Sequence, residues 1–162
     1  SGGLVTTGDP LVPPIYGDRE PWKEGTKITI SGGSVRSLEG VAIYHPQDGD
    51  LNITGGTVWG ATGIVMKSGN LDISGPSHIY GDGNYAEPVD YWSEPFSTGD
   101  AILIFGGAGE LGYEYAGDIT VNIHNSEEAG QVTSSQGYAI REFSDTTTDT
   151  RTSSIKISSG LI

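Results

Sequence analysis

The sequence predicts an all-β protein in which short parallel strands stack repeat upon repeat, and three observations lead there. Gly is abundant, at 26 of 162 residues, while apolar residues make up only 35%. Ile, Val, Thr and Ser fill the short runs between glycines, as suits strands and tight turns; no Ala/Leu/Glu/Lys stretch is present to carry a long helix. A Gly–polar–apolar motif recurs along the chain. Its first two spacings, 23 residues from Ile28 to Leu51 and 20 from Leu51 to Leu71, are too short for a strand–helix–strand crossover, which needs about 30 residues.

The first strand of each repeat reads GTKITI (25–30), GDLNI (49–53), GNLDI (69–73), GDITV (117–121) and SIKI (154–157). Its apolar pairs are Ile28/Ile30, Leu51/Ile53, Leu71/Ile73, Ile119/Val121 and Ile155/Ile157. Thr29, Asn52, Asp72, Thr120 and Lys156 lie between them. That is the period-two alternation of a strand with one buried face. Ile30, Ile53, Ile73, Val121 and Ile157 are expected in one inward column, with the polar residues outward.

Small-residue turns and a second strand follow at SGGSV (31–35), TGGTV (54–58), SGPSHI (74–79) and SSGLI (158–162), where glycine permits the positive φ of a sharp bend. A third strand is expected at GVAIY (40–44), GIVMK (63–67), DAILIF (100–105) and GYAIRE (137–142). Three strands per ~20–23 residues describe one triangular coil of a parallel β-helix. The later spacings of 48 and 36 residues read as coils carrying outward insertions. A β-sandwich is the structural alternative.

SGGLV (1–5) has the same repeat phase as SSGLI (158–162). Both ends are therefore expected to leave apolar coil faces uncovered, as in a piece of a longer rod that stacks end to end or against flanking repeats. Segment 6–25, with Pro10, Pro13, Pro14 and Pro21, reads as an irregular first coil, because proline cannot donate to a central ladder.

The Gly32-Gly33 and Gly55-Gly56 turns, the apolar pairs and the third-strand runs together resemble the parallel β-helix repeats of bacterial cell-surface proteins, built on the scaffold of the pectate-lyase-like superfamily. The resemblance covers most of the chain. It implies a right-handed, single-stranded parallel β-helix, a solenoid of about five three-strand coils. It also implies one domain over 1–162, with insertions near 81–98, 106–117 and 143–153. The scaffold serves pectinases, phage tailspikes, adhesins and toxins alike, so function has to be argued from side chains.

Charge narrows the partners. Lys and Arg total 8 against 21 Asp and Glu, a formal charge of −13, so a polyphosphate backbone is repelled and nucleic acid is excluded as a partner. Anionic lipid and acidic polysaccharide are disfavoured on the same ground. No apolar stretch approaches the ~20 residues of a membrane-spanning helix, and the absence of cysteine rules out disulfides and thiolate metal sites.

The most unusual stretch begins at Tyr80. Five aromatics and four carboxylates fall within the 17 residues 80–96, among them Tyr80, Asp82, Tyr85, Asp90, Tyr91, Trp92, Glu94 and Phe96. Exposed rings beside carboxylates stack on sugar faces or anchor a protein interface; packed on one another, they form a mini-core of the insertion instead. Tyr113 and Tyr115, in a second insertion, extend this candidate ligand surface. Trp59 and Tyr44 read as isolated surface aromatics, and Tyr44, Lys67 and Arg141 as a solvated row on the third sheet.

Asp48 and Asp50 flank Gly49, and Asp82 and Asn84 flank Gly83. They place oxygen donors around glycine as hard-cation sites do, so calcium is the metal they would suit, although neither extends to a complete EF-hand loop. Catalytic patterns are missing. His45 precedes Pro46, His78 lies within a strand and His124 precedes Asn125, none of them in the Gly-His-Gly turn of polygalacturonase-like β-helices. Lyase chemistry needs an Arg or Lys among calcium-binding carboxylates, and no cation is evidently so placed in sequence. A glycosidase using Asp82, Asp90 or Glu94 stays open, since carboxylate separation is invisible in sequence. The expectation is a non-catalytic binding or adhesion module of a bacterial surface or secreted protein, contacting a host protein or glycan through its insertions. A carbohydrate-active β-helix enzyme and a purely structural stalk are the alternatives.

Overall fold

A computed structural model describes residues 2–9, 12–16, 27–87, 97–106, 117–125, 130–144 and 152–162. Among them the protein is all-β, without a helix, and every ladder is parallel. One sheet holds β1 (Leu4–Thr7), β3 (Lys27–Ser37), β5 (Asp50–Gly60), β7 (Gly69–Gly75), β10 (Ile119–Asn125) and β13 (Ser153–Ser159) in that order. From β5 the same sheet branches to β8 (Ser77–Gly81) and on to β11 (Gln131–Ser134). The second sheet runs β12 (Ile140–Ser144), β9 (Ile102–Gly106), β6 (Thr62–Met66), β4 (Val41–His45), β2 (Ile15–Tyr16).

The expected first and second strands form one continuous strand in β3 and again in β5, bent at the Gly-Gly pair. Gly33 and Gly56 adopt φ of 83° and 95°. A Cβ on Gly56 would meet the Gly33 carbonyl oxygen at 2.7 Å and the Gly32 carbonyl carbon at 2.8 Å. Successive turns therefore touch backbone to backbone, and only glycine fits there.

The first-strand register matches expectation over three repeats, Ile28–Leu51–Leu71 and Ile30–Ile53–Ile73. In the fourth it is displaced by two residues. Leu71 pairs with Val121 and Ile73 with Ile123, which in turn pair with Ile155 and Ile157. Asn122, not Thr120, stands between Asp72 and Lys156. The misleading cue is Gly117: GDITV looks like GNLDI, but the residue beside Gly69 is Ile119. A two-residue slip keeps the inward face inward, so alternation alone could not expose it. A second strand that was not anticipated, β11, completes this repeat: Val132 continues the inward column Val35–Val58–Ile79.

Leu51, Ile53, Val58, Leu71, Ile73 and Ile79 from the first sheet pack with Ile43, Ile64, Met66, Ile102 and Ile104 from the second in one buried core. Each such side chain contributes about 1.5–3 kcal/mol relative to remaining exposed. Ile155 and Ile157, on edge strand β13, are about half exposed, as are Leu161 and, on β1, Val5; Leu4 is more exposed still. Leu4 and Leu161 do share a row, through Ser34 and Gln131 respectively.

The second sheet departs from expectation. Val41, Tyr44, Val65, Leu103 and Phe105 form a separate buried cluster, with Phe143 packed against it. Tyr44 and Lys67 are buried, at 4% and 3% exposure, so neither belongs to a solvated row. The register row is Tyr44–Val65–Leu103–Arg141. Lys67 places its Nζ 5.1 Å from the Phe105 ring centroid. Runs such as VAIYH and ILIFG are apolar without alternation, the pattern of strands covered on both faces.

Candidate functional site

Arg141 sits where its row otherwise carries Tyr44, Val65 and Leu103. A guanidinium at such a position needs partners, since burying an unpaired charge is costly. It has them. Its Nη1 donates to the Ala86 carbonyl at 3.0 Å and lies 3.5 Å from Asp100 Oδ2. Its Nη2 donates to Glu87 Oε2 at 2.7 Å and to the Tyr85 hydroxyl at 3.2 Å. The guanidinium carbon lies 5.0 Å from the Tyr85 ring centroid and 5.2 Å from that of Tyr138, close enough for cation–π attraction. The two rings meet edge to face at 6.1 Å. The Tyr85 hydroxyl also bonds Glu87.

Asp100 is fully buried. Its Oδ2 accepts from Thr98 Oγ1 at 2.7 Å and its Oδ1 from the Tyr138 backbone N–H at 2.8 Å. The Thr98 N–H is held by Thr62 Oγ1 at 2.8 Å, and the Gly99 carbonyl accepts from Ser134 Oγ at 2.7 Å. Residues 98–100 are thereby fastened to β6, β11 and β12. Burial pushes the Asp100 carboxyl above its usual range, only partly offset by the bonds from Thr98 and Tyr138 and by the Arg141 charge.

Hydrogen bonds from Tyr85 and Arg141 hold Glu87 below the usual carboxylate range, and the Glu87 bond raises the Tyr85 phenol. Burial pulls the Arg141 guanidinium down, but the Glu87 bond and the charges of Asp100 and Glu87 outweigh it, so its pKa is raised. A guanidinium held in this way positions the carboxylates of Glu87 and Asp100. Contrary to the reading from sequence, one cation does sit among carboxylates. The signal was its phase: Arg141 interrupts an apolar row, and Asp100 precedes an uninterrupted apolar strand.

Of the expected ligand residues, the structure brings Tyr85 into this cluster, together with Glu87, Asp100, Tyr138 and Arg141, which the expected set lacked. Tyr80 lies elsewhere, on β8. Its hydroxyl is 3.3 Å from His78 Nδ1, and the two rings stack at 6.0 Å. Asp82 follows β8 and is exposed, its N–H bonded to the Gly60 carbonyl. Asp90, Tyr91, Trp92, Glu94 and Phe96, and Tyr113 and Tyr115, lie outside the described residues. Asp48 is exposed, and Asp50 accepts from Asn70 Nδ2 at 3.0 Å. Among the described residues no group of three or more His, Asp or Glu is placed to hold a metal ion. Trp59 is not isolated: it pairs with Arg36 and Tyr80 in the ladder.

No family model, curated protein or solved structure matches the chain.

Proposed function

We propose that the chain is a segment of a right-handed parallel β-helix rod, as its repeats resemble those of bacterial cell-surface proteins. We further propose that it serves outside the cell as a non-catalytic binding module, contacting a glycan or host protein through the insertion that follows β8. The rod reading is supported by two parallel sheets to which most repeats contribute strands in matching register, and by the near-universal right-handedness of parallel crossovers. The exposed apolar residues of β1 and β13 support stacking against a further repeat of the same register, whether from this protein or from a second copy.

The binding reading is carried by one observation, the fastening of the insertion's root. Arg141 ties Tyr85, Ala86 and Glu87 to buried Asp100. The root of the insertion is thereby held on the scaffold, as the bases of binding loops are.

A glycan array combined with a pull-down from host secretions tests the proposal. A ligand should emerge whose affinity falls by about 1–3 kcal/mol in the Tyr91→Ala/Trp92→Ala variant while the melting temperature stays nearly unchanged. Release of reducing or unsaturated sugar products from a polysaccharide would make the protein an enzyme. Loss of stability without change in binding would turn the aromatics into a mini-core.

A further inference from the structure

We propose a second site, independent of the insertion, on the outward face of the second strands: a binding surface for a polysaccharide chain. Two adjacent rows build it. One is Arg36–Trp59–Tyr80–Thr133 and the other Ser34–Thr57–His78–Gln131, each contributed by consecutive parallel strands β3, β5, β8 and β11. Neighbouring strands lie about 4.8 Å apart, so Arg36, Trp59 and Tyr80 follow one another at that interval. Directly behind them Val35, Val58, Ile79 and Val132 are buried, which leaves the outward side chains on a rigid floor.

The chemistry of the face is that of sugar recognition. Arg36 lies 4.1 Å from the Trp59 ring centroid and has no ion-pair partner among the described residues. Its guanidinium is preoriented by the indole and retains its donors. The Tyr80 ring stacks on His78, and its hydroxyl reaches Gln131 Oε1 at 3.5 Å. An open groove of about 440 Å³ exists elsewhere on the first sheet, beside Asp72 and His124. The groove on this face, about 380 Å³, is lined by Ser34, Val35, Arg36, Thr57 and Trp59.

None of the described residues of β1, β3, β5 beyond Asp50, β8 and β11 is an Asp or Glu. In a chain of charge −13, an acidic sugar seated on this strip meets no carboxylate from the strands that build it. Beyond about 8 Å at physiological salt the remaining charge is screened. Aromatic rings supply flat apolar surface for the C–H faces of pyranoses, while Ser, Thr, His, Gln and Arg beside them meet hydroxyls. A protein partner would instead favour an apolar centre with a polar rim. Here the rings of Trp59, Tyr80 and His78 lie beside Ser34, Thr57, Gln131 and Thr133.

Affinity electrophoresis through gels containing hydroxyethylcellulose, xylan or polygalacturonate tests the proposal. The protein should be retarded by at least one of them. Trp59→Ala/Tyr80→Ala should weaken that retardation by about tenfold or more, with an unchanged melting temperature. Arg36→Glu, at an exposed position, should weaken it as well, which keeps the test decisive if the double variant folds poorly. Retardation by polygalacturonate alone assigns Arg36 to a sugar carboxylate; retardation by the neutral polymers assigns it to hydroxyls. Absence of retardation in all three gels overturns the proposal, as does retardation untouched by Arg36→Glu. Retardation lost only in Tyr91→Ala/Trp92→Ala overturns this site and leaves the insertion as the binding surface.

Discussion

Ile73 and Ile123 are direct ladder partners between β7 and β10, 50 residues apart in sequence. The column continues through Ile53 and Ile30 on one side and Ile157 on the other. Between two such neighbours an apolar side chain loses all contact with water, and Ile53 and Ile73 are wholly buried.

Truncation of this column tests the register. Ile73→Ala and Ile123→Ala should each cost about 2–5 kcal/mol. Because the two cavities adjoin, the double variant should depart from their sum by about 0.5 kcal/mol or more in urea unfolding. Ile53→Asp should not fold, since a buried unpaired charge has no partner there. A soluble, folded Ile53→Asp protein would reject the inward column.

The turn glycines make a second, paired prediction. Gly56→Ala places a methyl group against the backbone of the neighbouring turn at a positive φ and should cost about 1–3 kcal/mol. A Cβ on Gly32 meets nothing within 4 Å, so Gly32→Ala should stay within about 0.5 kcal/mol of the parent. Equal effects in thermal melts would mean that the turns do not touch.

Arg141 and Asp100 form the third case. Arg141→Met leaves the fully buried Asp100 with bonds from Thr98 and Tyr138 alone, and a loss of about 1–3 kcal/mol follows from removing a partner of a buried acceptor. The loss should shrink in acid, where Asp100 takes up a proton more readily than an ordinary aspartate. Glu87→Gln, on the solvent side, should leave the melting temperature nearly unchanged. Insensitivity to Arg141→Met would remove the clamp from the account of the insertion's root.

His45 supplies a pH dependence. Burial lowers its pKa below 6.5, despite the bond to the Gly49 carbonyl and the charge of Asp50. The neutral ring is therefore favoured in the folded state. Its contribution is fully present above the unfolded value near 6.5 and is lost as pH falls through the lower folded value. Stability should decline as pH falls below 6.5, by at most about 1.4 kcal/mol per pH unit. Asp100 acts in the opposite direction, so the difference between the parent and His45→Gln isolates the histidine. A parent and variant with parallel stability profiles would exclude it.

From sequence alone came the all-β class, the repeat and the register of three repeats. These are local properties: alternation fixes which face of a strand is apolar, and glycine at a bend is demanded by φ. The tertiary structure decided what depends on neighbours distant in the chain. Whether Val121 or Ile123 stands beside Ile73 is invisible to a period-two pattern, because both point inward. That the second sheet is buried on both faces follows from packing, although its unbroken apolar runs carried the hint. Arg141 could not be matched to Asp100 and Glu87, nor Trp59 to Arg36 and Tyr80, until stacking set strands 20 to 50 residues apart side by side. Side-chain chemistry here is assembled across the ladder, and the ladder is a property of the fold.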